Sequence, residues 1–160
     1  MISVKFRTFL FSAVEYSKNF IGRRLGAKSV GVRAIVLNLQ NEVLLVKHTY
    51  RAGWHTPGGG VNVCESPLTA IKRELIEEVG LEVVGNPEIF SVYLNQWRGL
   101  SDYPILYIVR QFKGTAICAD RGEIEEIGWF SFNNLPADVT PKTHLRLKEF
   151  FLNQTPAEFW

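Results

Sequence analysis

The sequence predicts an α+β fold in which a mixed β-sheet lies between helices, an α/β/α arrangement. Segments rich in β-branched and apolar residues recur from residue 29 onward, which is typical of strands. Helix signals interrupt them in the middle and near the end of the chain. Strands that dominate and are punctuated by helices favour a layered α+β domain, and 160 residues are enough for one such domain with its own core.

Residues 1–28 are predicted to form a helical extension that precedes the main domain at 29–160. Apolar residues recur there at helical spacing, which indicates an amphipathic stripe: Phe6, Phe9, Leu10, Ala13 and Val14. A lone helix of this kind is marginal in water. We expect its apolar face to pack on the domain or on a second copy in a homodimer, with a membrane surface as the third option. No apolar run is long enough for a membrane span.

The first strands are expected at 29–37 and 42–48, joined into a hairpin by the polar turn 38–41. A loop at 53–60 follows, which contains Pro57 and three consecutive glycines. Further strands are predicted at 81–84, 88–94, 104–112 and 127–131.

The central helix is predicted at 67–79. Ser66 is a favourable N-cap, Pro67 suits the first helical position, and Gly80 suits the residue just past the end. A buried stripe is expected at helical spacing: Leu68, Ile71, Leu75 and Val79. The last helix is predicted to start at Pro141, capped by Thr140.

Three glutamates crowd one face of the central helix, at i, i+3 and i+4: Glu74, Glu77 and Glu78. Like charges at this spacing repel, and the helix dipole also disfavours negative charge near a C-terminus. A divalent cation with oxygen ligands would remove the conflict. A solvated acidic face is the alternative explanation.

The residues around these glutamates resemble the Nudix box, G-x5-E-x7-R-E-U-x-E-E-x-G-U, in which U is a bulky aliphatic residue. All fixed positions match over 23 residues, from Gly59 to Leu81. The preceding PGGG at 57–60 and the segment EIEEIGWFSFNNLP at 123–136 are also similar to the family. The resemblance implies a Nudix-type fold and a metal-dependent pyrophosphohydrolase.

The resemblance also implies residue roles. Glu74, Glu77 and Glu78 correspond to catalytic metal ligands for Mg²⁺, with Mn²⁺ as an alternative ion. Glu65 and Arg73 correspond to a structural ion pair, and Gly59 and Gly80 to the turn and the helix end. A further metal ligand is expected outside the box, at Glu123 by preference, with Glu126 and then Glu125 as alternatives. Glu77, Glu78 or a loop carboxylate remain open as the general base.

The reaction implied is hydrolysis of a nucleoside diphosphate linked to another moiety. The proline typical of ADP-ribose hydrolases is absent from residues 95–98, so a nucleoside triphosphate and a MutT-like activity are favoured by elimination. ADP-sugars and capped RNA are the alternatives. Trp97, Tyr103 and Asp138 are candidate substrate-binding residues. Lys47, His48, Arg51 and His55 are candidates for phosphate contact, with a solvated surface position as the alternative for each.

A nucleotide-sensing module without turnover is the rival class, but such modules often lose the box glutamates that this chain keeps. The net charge of +2 argues mildly against long RNA as a partner, which leaves a small nucleotide. Two cysteines are too few for a disulfide framework, so a reducing, cytoplasmic compartment is expected.

Overall fold

The computed structural model describes residues 28–97 and 100–160. The predicted extension at 1–28 lies outside the described residues except for Lys28, which begins the first strand. The helices are α1 (Pro67–Val79) and α2 (Pro141–Phe151), with a 3₁₀ turn at Phe132–Asn134. The strands are β1 (Lys28–Val36), β2 (Val43–His48), β3 (Trp54–His55), β4 (Glu82–Val83), β5 (Glu88–Val92), β6 (Asn95–Trp97), β7 (Leu100–Val109), β8 (Phe112–Lys113) and β9 (Ile124–Phe130).

The larger sheet is mixed, as predicted. Strand β7 pairs in parallel with β1 and antiparallel with β5 and β6. A second, antiparallel sheet has the order β3-β2-β9, and β4 and β8 form a small antiparallel pair. The two main sheets lie between the two helices, which confirms the α+β prediction.

The predicted hairpin between the first two strands is wrong. Strands β1 and β2 belong to different sheets, and a single bridge joins Leu37 to Val43. The turn at 38–41 does form, with Asn41 at positive φ and its amide donating to the Asn38 carbonyl. The turn therefore passes the chain between sheets, and β1 finds its partner in β7, far along the sequence.

Alternating residues of the strands fill two cores. One core takes Val32, Ala34, Leu44 and Val46 from β1 and β2 and packs them against Ala70, Ile71, Leu75 and Val79 of α1. The other takes the intervening residues Ile35, Val43 and Leu45 and packs them against α2 through Leu147, Phe150 and Phe151. Because successive side chains of a strand point to opposite faces, the α1 face and the α2 face of each strand are distinct.

Helix α1 has the predicted ends. The Ser66 hydroxyl accepts a hydrogen bond from the Thr69 amide at 3.0 Å, and Gly80 adopts the left-handed conformation with φ +69°. The Gly80 amide then donates to the Ile76 carbonyl, which closes the helix. Leu68 is only half-buried, so the fully buried stripe begins at Ala70.

Two strands start three or more residues earlier than predicted. Strand β7 starts before Pro104 rather than at it. Pro104 lies between the part of β7 that pairs with β6 and the part that pairs with β5. Its missing N–H therefore breaks neither of these two ladders. Strand β9 starts at Ile124, three residues earlier than predicted. Neither helix in the described part of the chain is long and apolar enough to cross a bilayer.

Candidate active site

The glycine loop lies beside β1 and contacts α1. The Val32 amide donates to the Gly59 carbonyl and the Ala34 amide to the Pro57 carbonyl. Gly58 has φ +132°, and a Cβ there would overlap the Val32 carbonyl oxygen. A Cβ on Gly59 would overlap the Glu74 carboxylate. Glycine is required at 58, where the positive φ and the β1 backbone exclude a side chain, whereas a side chain at 59 would displace the Glu74 carboxylate.

The Arg73 side chain donates hydrogen bonds to three carboxylates at the outer side of α1. Its Nε and Nη2 atoms donate to the two oxygens of Glu65 at 2.8 and 2.9 Å, which is a bidentate ion pair. Its Nη1 also donates to Glu74 at 2.7 Å and to Glu77 at 2.9 Å. Hydrogen bonding to Arg73 lowers the pKa of Glu65 to about 2. The guanidinium therefore offsets much of the repulsion between Glu74 and Glu77.

Glu78 points to the interior instead. Its side chain is 3% exposed, and one carboxylate oxygen accepts a hydrogen bond from the Gly58 amide at 2.8 Å. Burial raises the pKa of this carboxyl to about 8, and the charges of Glu74 and Glu123 act in the same direction. Burial likewise raises the pKa of Glu74. A buried carboxyl in this state favours a cation as its partner.

Two residues from other elements converge on Glu78. His48 ends β2, and Glu123 directly precedes β9. Possible ligand atoms of His48, Glu78 and Glu123 lie within 4.8 Å of one another. The Tyr50 hydroxyl donates to Glu123 at 2.9 Å, and the Thr49 amide donates to the Glu123 carbonyl. These bonds hold the Glu123 side chain against the buried end of the box helix.

The alternatives Glu125 and Glu126 do not join this group. A bulge interrupts the pairing of β2 and β9, with Lys47 opposite Glu126 and His48 opposite Ile124. Glu125 is the extra residue of the bulge, and both Glu125 and Glu126 are exposed. Glu126 is paired with Lys47, whose side chain lies on the α2 face.

A group of basic side chains lies next to the carboxylates. The Arg33 guanidinium donates to the Gly58 carbonyl, and burial lowers its pKa while the charge of Glu78 raises it. Burial, together with the charges of Arg33, His55 and Arg51, lowers the pKa of His48 to about 3. Burial also lowers the pKa of His55. Both histidines are therefore neutral at neutral pH.

Sequence reasoning missed Arg33, and it gave His48 as a candidate for phosphate contact with a solvated surface position as the alternative. Arg33 does carry a signal, because it is the one charged residue within the otherwise apolar run 29–37. For His48 the signal is its register: the residue continues the alternation of Leu44 and Val46 towards the α1 face. It is 3% exposed, so the solvated alternative is wrong.

The candidate substrate-binding residues are not brought to the carboxylates. Asp138 forms an ion pair with Lys47 at 3.1 Å, and Lys47 lies 5.7 Å from the Trp54 ring, which belongs to the α2-side core. The pair is therefore on the opposite face of β2 from His48, and the Lys47 partner lowers the pKa of Asp138. Tyr103 is half-buried in β7 opposite Val30. The side chain of Trp97 lies outside the described residues.

The site has the chemistry of a divalent cation centre. Carboxylates from α1 and from the turn before β9 meet in a partly buried space, with a neutral imidazole beside them and a glycine loop at the edge. Carboxylate oxygens are the ligands that Mg²⁺ and Mn²⁺ take in proteins, often together with phosphate oxygens of a substrate. The residues present therefore fit such an ion.

Comparison with known proteins gives the family. The NUDIX domain sequence profile matches residues 27–152. The "Putative 8-oxo-dGTP diphosphatase" of Bacillus subtilis (strain 168) is 32% identical over 120 residues, which cover 75% of this chain and 78% of that protein. An "RNA pyrophosphohydrolase" of Francisella tularensis subsp. mediasiatica (strain FSC147) is 46% identical over 50 residues, 31% of this chain and 32% of that protein.

The fold has solved counterparts. The crystal structure of a MutT NUDIX hydrolase from Burkholderia pseudomallei superposes with a TM-score of 0.67 at 27% identity, and covers 76% of this chain and 96% of that chain. Fold, box and relatives agree. The chain therefore belongs to the Nudix family and is a hydrolase that acts on pyrophosphate bonds.

Proposed function

We propose that the protein hydrolyses the pyrophosphate linkage of a nucleoside triphosphate in a MutT-like reaction that depends on Mg²⁺. One observation carries the proposal: the complete acidic face of α1 is joined at its buried end by Glu123, a carboxylate from outside the box. The Bacillus subtilis relative, named for action on 8-oxo-dGTP, supports a nucleoside triphosphate as the substrate.

In this mechanism Glu74, Glu77, Glu78 and Glu123 would hold the cation. When bound, a divalent cation neutralises the charge of the diphosphate and lowers the pKa of an attacking water. The Gly58 amide donates a hydrogen bond to Glu78, and the Arg33 guanidinium donates to the Gly58 carbonyl. These two contacts hold Glu78 against the glycine loop. Arg73 fixes the position of Glu65, Glu74 and Glu77. These contacts preorganise the negatively charged face before a nucleotide enters.

The candidates for the general base are Glu77, Glu78 and a loop carboxylate. Glu77 is exposed and accepts a hydrogen bond from Arg73, which leaves it accessible to water. Glu78 is buried and its pKa is raised to about 8 in the cation-free protein, so it can take up a proton near neutral pH. A general base of either kind contributes about 10²–10⁴-fold to the rate.

The compartment is proposed to be the reducing cytoplasm. Cys64 and Cys118 are both free thiols, which supports a reducing environment.

A second candidate is removal of pyrophosphate from the 5′ end of RNA. The Francisella tularensis relative has this name and its 50 matched residues are 46% identical, but they cover less than a third of that protein. A nucleoside triphosphate and a 5′-triphosphorylated RNA share the same reacting group, so the rest of the substrate decides between them.

A substrate panel tests both candidates. The purified full-length chain is incubated with Mg²⁺ and with dGTP, 8-oxo-dGTP, ADP-ribose or a 5′-triphosphorylated oligoribonucleotide, and products are separated by chromatography. The proposal predicts a nucleoside monophosphate and pyrophosphate from a triphosphate, with loss of turnover in excess EDTA. Faster turnover of the oligoribonucleotide would favour the second candidate, and turnover of ADP-ribose alone would contradict both.

A further inference from the structure

His48 is a buried side chain that lacks the partners a buried imidazole normally has. It is 3% exposed, and neither ring nitrogen has a hydrogen-bond partner within the part of the chain that the structure describes. Its ring lies against the rings of Tyr50 and His55, with centroids 5.1 and 5.4 Å away. Buried polar atoms in native proteins are nearly always paired, so an orphaned ring nitrogen points to a group that binds there.

The position of the ring tells which group that is. Ligand atoms of His48, Glu78 and Glu123 lie within 4.8 Å of one another and come from three separate elements. Two atoms bound to one ion at about 2.2 Å lie at most about 4.4 Å apart, so small side-chain rotations bring the three into a single coordination sphere. A cation in this space satisfies one ring nitrogen and both carboxylates.

Glu78 and Glu123 each have one carboxylate oxygen that can bind the ion. One oxygen of Glu78 accepts the hydrogen bond from Gly58, and one oxygen of Glu123 accepts the bond from Tyr50. Within the described residues, the second oxygen of each carboxylate accepts no hydrogen bond. Each side chain is thus oriented through one oxygen, as second-shell hydrogen bonds orient metal ligands, while the other oxygen can bind the cation.

The donor set determines the class of metal. Mg²⁺ prefers oxygen ligands only, whereas imidazole nitrogen suits first-row transition metals, and carboxylates suit Mn²⁺ among others. Glu74 and Glu77, which accept hydrogen bonds from Arg73, provide oxygen alone. The buried group provides one nitrogen and two carboxylates.

We propose that His48 is a direct nitrogen ligand in this site, and that Glu78, Glu123 and His48 together bind a transition-metal ion of the Mn²⁺ class more tightly than Mg²⁺. The inference rests on the proposed metal-dependent function, because it concerns the same buried carboxylates. It is tested by metal binding without substrate, so the two can fail separately.

The direct test is pulsed electron paramagnetic resonance on the full-length wild-type chain with substoichiometric Mn²⁺. The chain has three histidines, His48, His55 and His144, so protein grown with ¹⁵N-labelled histidine identifies any coordinated imidazole. We expect nitrogen coupling of directly bound strength, which changes from the ¹⁴N to the ¹⁵N pattern on labelling. Mn²⁺ bound without such coupling would overturn this inference and leave the carboxylate site intact. No Mn²⁺ binding at all would also overturn this inference, whereas the proposed function is tested separately by hydrolysis with Mg²⁺.

Calorimetric titration of variants assigns the nitrogen. His48→Gln should weaken Mn²⁺ binding by tenfold or more, since loss of even a second-shell partner costs about 10–100-fold, and should change Mg²⁺ binding much less. His144→Gln, on the exposed face of α2, is the matched control and should bind Mn²⁺ like the wild type. Equal loss of Mn²⁺ and Mg²⁺ affinity in folded His48→Gln would contradict the nitrogen-ligand assignment. If that variant does not fold, the resonance measurement on the wild type decides.

Discussion

At the scale of the residue, the three box glutamates have different environments although they adjoin on one helix. Glu74 and Glu77 accept hydrogen bonds from Arg73, whereas Glu78 is buried against the Gly58 amide. The sequence alone assigned the relief of repulsion to a metal ion. In the structure the Arg73 guanidinium pairs with Glu74 and Glu77, whereas Glu78 forms no ion pair within the part of the chain that the structure describes.

This difference predicts how Glu78 affects stability in the cation-free protein. Its pKa is raised from 4.5 to about 8 on folding, so the folded state binds the proton more tightly than the unfolded state. Stability is then fully present below pH 4.5 and falls by about 1.4 kcal/mol per pH unit as pH rises towards 8. Glu78→Gln removes this loss, so in EDTA its Tm relative to the wild type should rise between about pH 5 and about pH 8.

Thermal unfolding across that pH range, followed by circular dichroism, checks the expectation. Glu77→Gln, at an exposed position on the same helix, controls for the loss of one negative charge. Parallel curves for wild type and Glu78→Gln would show that Glu78 is not desolvated.

Replacement of Arg73 should lower both stability and activity. Its side chain makes hydrogen bonds to Glu65, Glu74, Glu77 and the Gly60 carbonyl, so Arg73→Ala should lower both the Tm and the turnover number. Arg73→Lys keeps the charge but not the bidentate geometry. Its Tm and turnover number should lie between those of the wild type and those of Arg73→Ala. Differential scanning fluorimetry and initial rates measure the two effects. An unchanged Tm in Arg73→Ala would argue against a structural role for the ion pair.

At the scale of the element, α2 fixes the last residues of the chain. Arg146 is fully buried, donates to Glu149 at 2.8 Å and to the Phe159 carbonyl at 3.0 Å, and lies 4.2 Å from the Tyr93 ring. Glu149 also accepts from the Tyr93 hydroxyl and the Ala157 amide. The backbone at 158–160 pairs with Leu94. One buried ion pair thus joins α2, the chain after β5 and the C-terminal segment.

Breaking this pair should be costly. Arg146→Met leaves Glu149 buried without its cation, which lowers the free energy of unfolding by about 3–5 kcal/mol. Urea unfolding measures the change. Lys148→Met, exposed on the same helix, should stay within about 0.5 kcal/mol of the wild type. Arg146→Met combined with Glu149→Leu should regain part of the loss, and a double variant less stable than the single one would contradict the account.

The elements predicted best are those specified by nearby residues. Helix α1 lies at the predicted residues because its caps and apolar stripe are local signals. The partner of β1 could not be predicted this way, since the Lys28–Ser101 register joins residues far apart in the sequence. The near-continuous apolar run of β1 is typical of a parallel strand buried on both faces. It is a weaker signal than the turn that suggested a hairpin.

The site followed the same rule. The box residues could be predicted because the resemblance that points to them lies in one short stretch, from Gly59 to Leu81. Glu123 was preferred, but its choice over Glu126 depended on a bulge, and no local residue pattern indicated where β9 would slip against β2. The burial of His48 depends on three elements meeting, which a single segment does not reveal. Asp138 stays a prediction from its position in the sequence, and in the structure it pairs with Lys47.

At the scale of the whole molecule, the space between the two sheets and α1 collects the chemically active side chains. The glycine loop lies along β1, His48 comes from the second sheet, and Glu123 from the turn before β9. The larger sheet packs against α2 on the other side. A centre assembled from separate elements in this way is held in place by the fold as a whole.

The residues before β1 give a prediction at this scale. The apolar stripe of Phe6, Phe9 and Leu10 is expected to bury against protein, so deletion of residues 2–20 should reduce solubility or change the oligomeric state and spare hydrolysis. Light scattering, melting temperature and lipid binding are the measurements. A truncated chain unchanged in all three would mean that the stripe has no partner.

The acidic face of α1 is proposed to drive pyrophosphate hydrolysis, and the rates of charge-neutralised variants test this role. Initial rates of pyrophosphate release from a nucleoside triphosphate with Mg²⁺ are compared for the wild type, Glu78→Gln and Glu125→Gln, all shown to be folded by circular dichroism. Glu125 is the exposed bulge residue and serves as the matched control. We expect Glu78→Gln to lose about 10²-fold or more in rate and Glu125→Gln to stay near the wild type. A wild-type rate in Glu78→Gln would contradict the account.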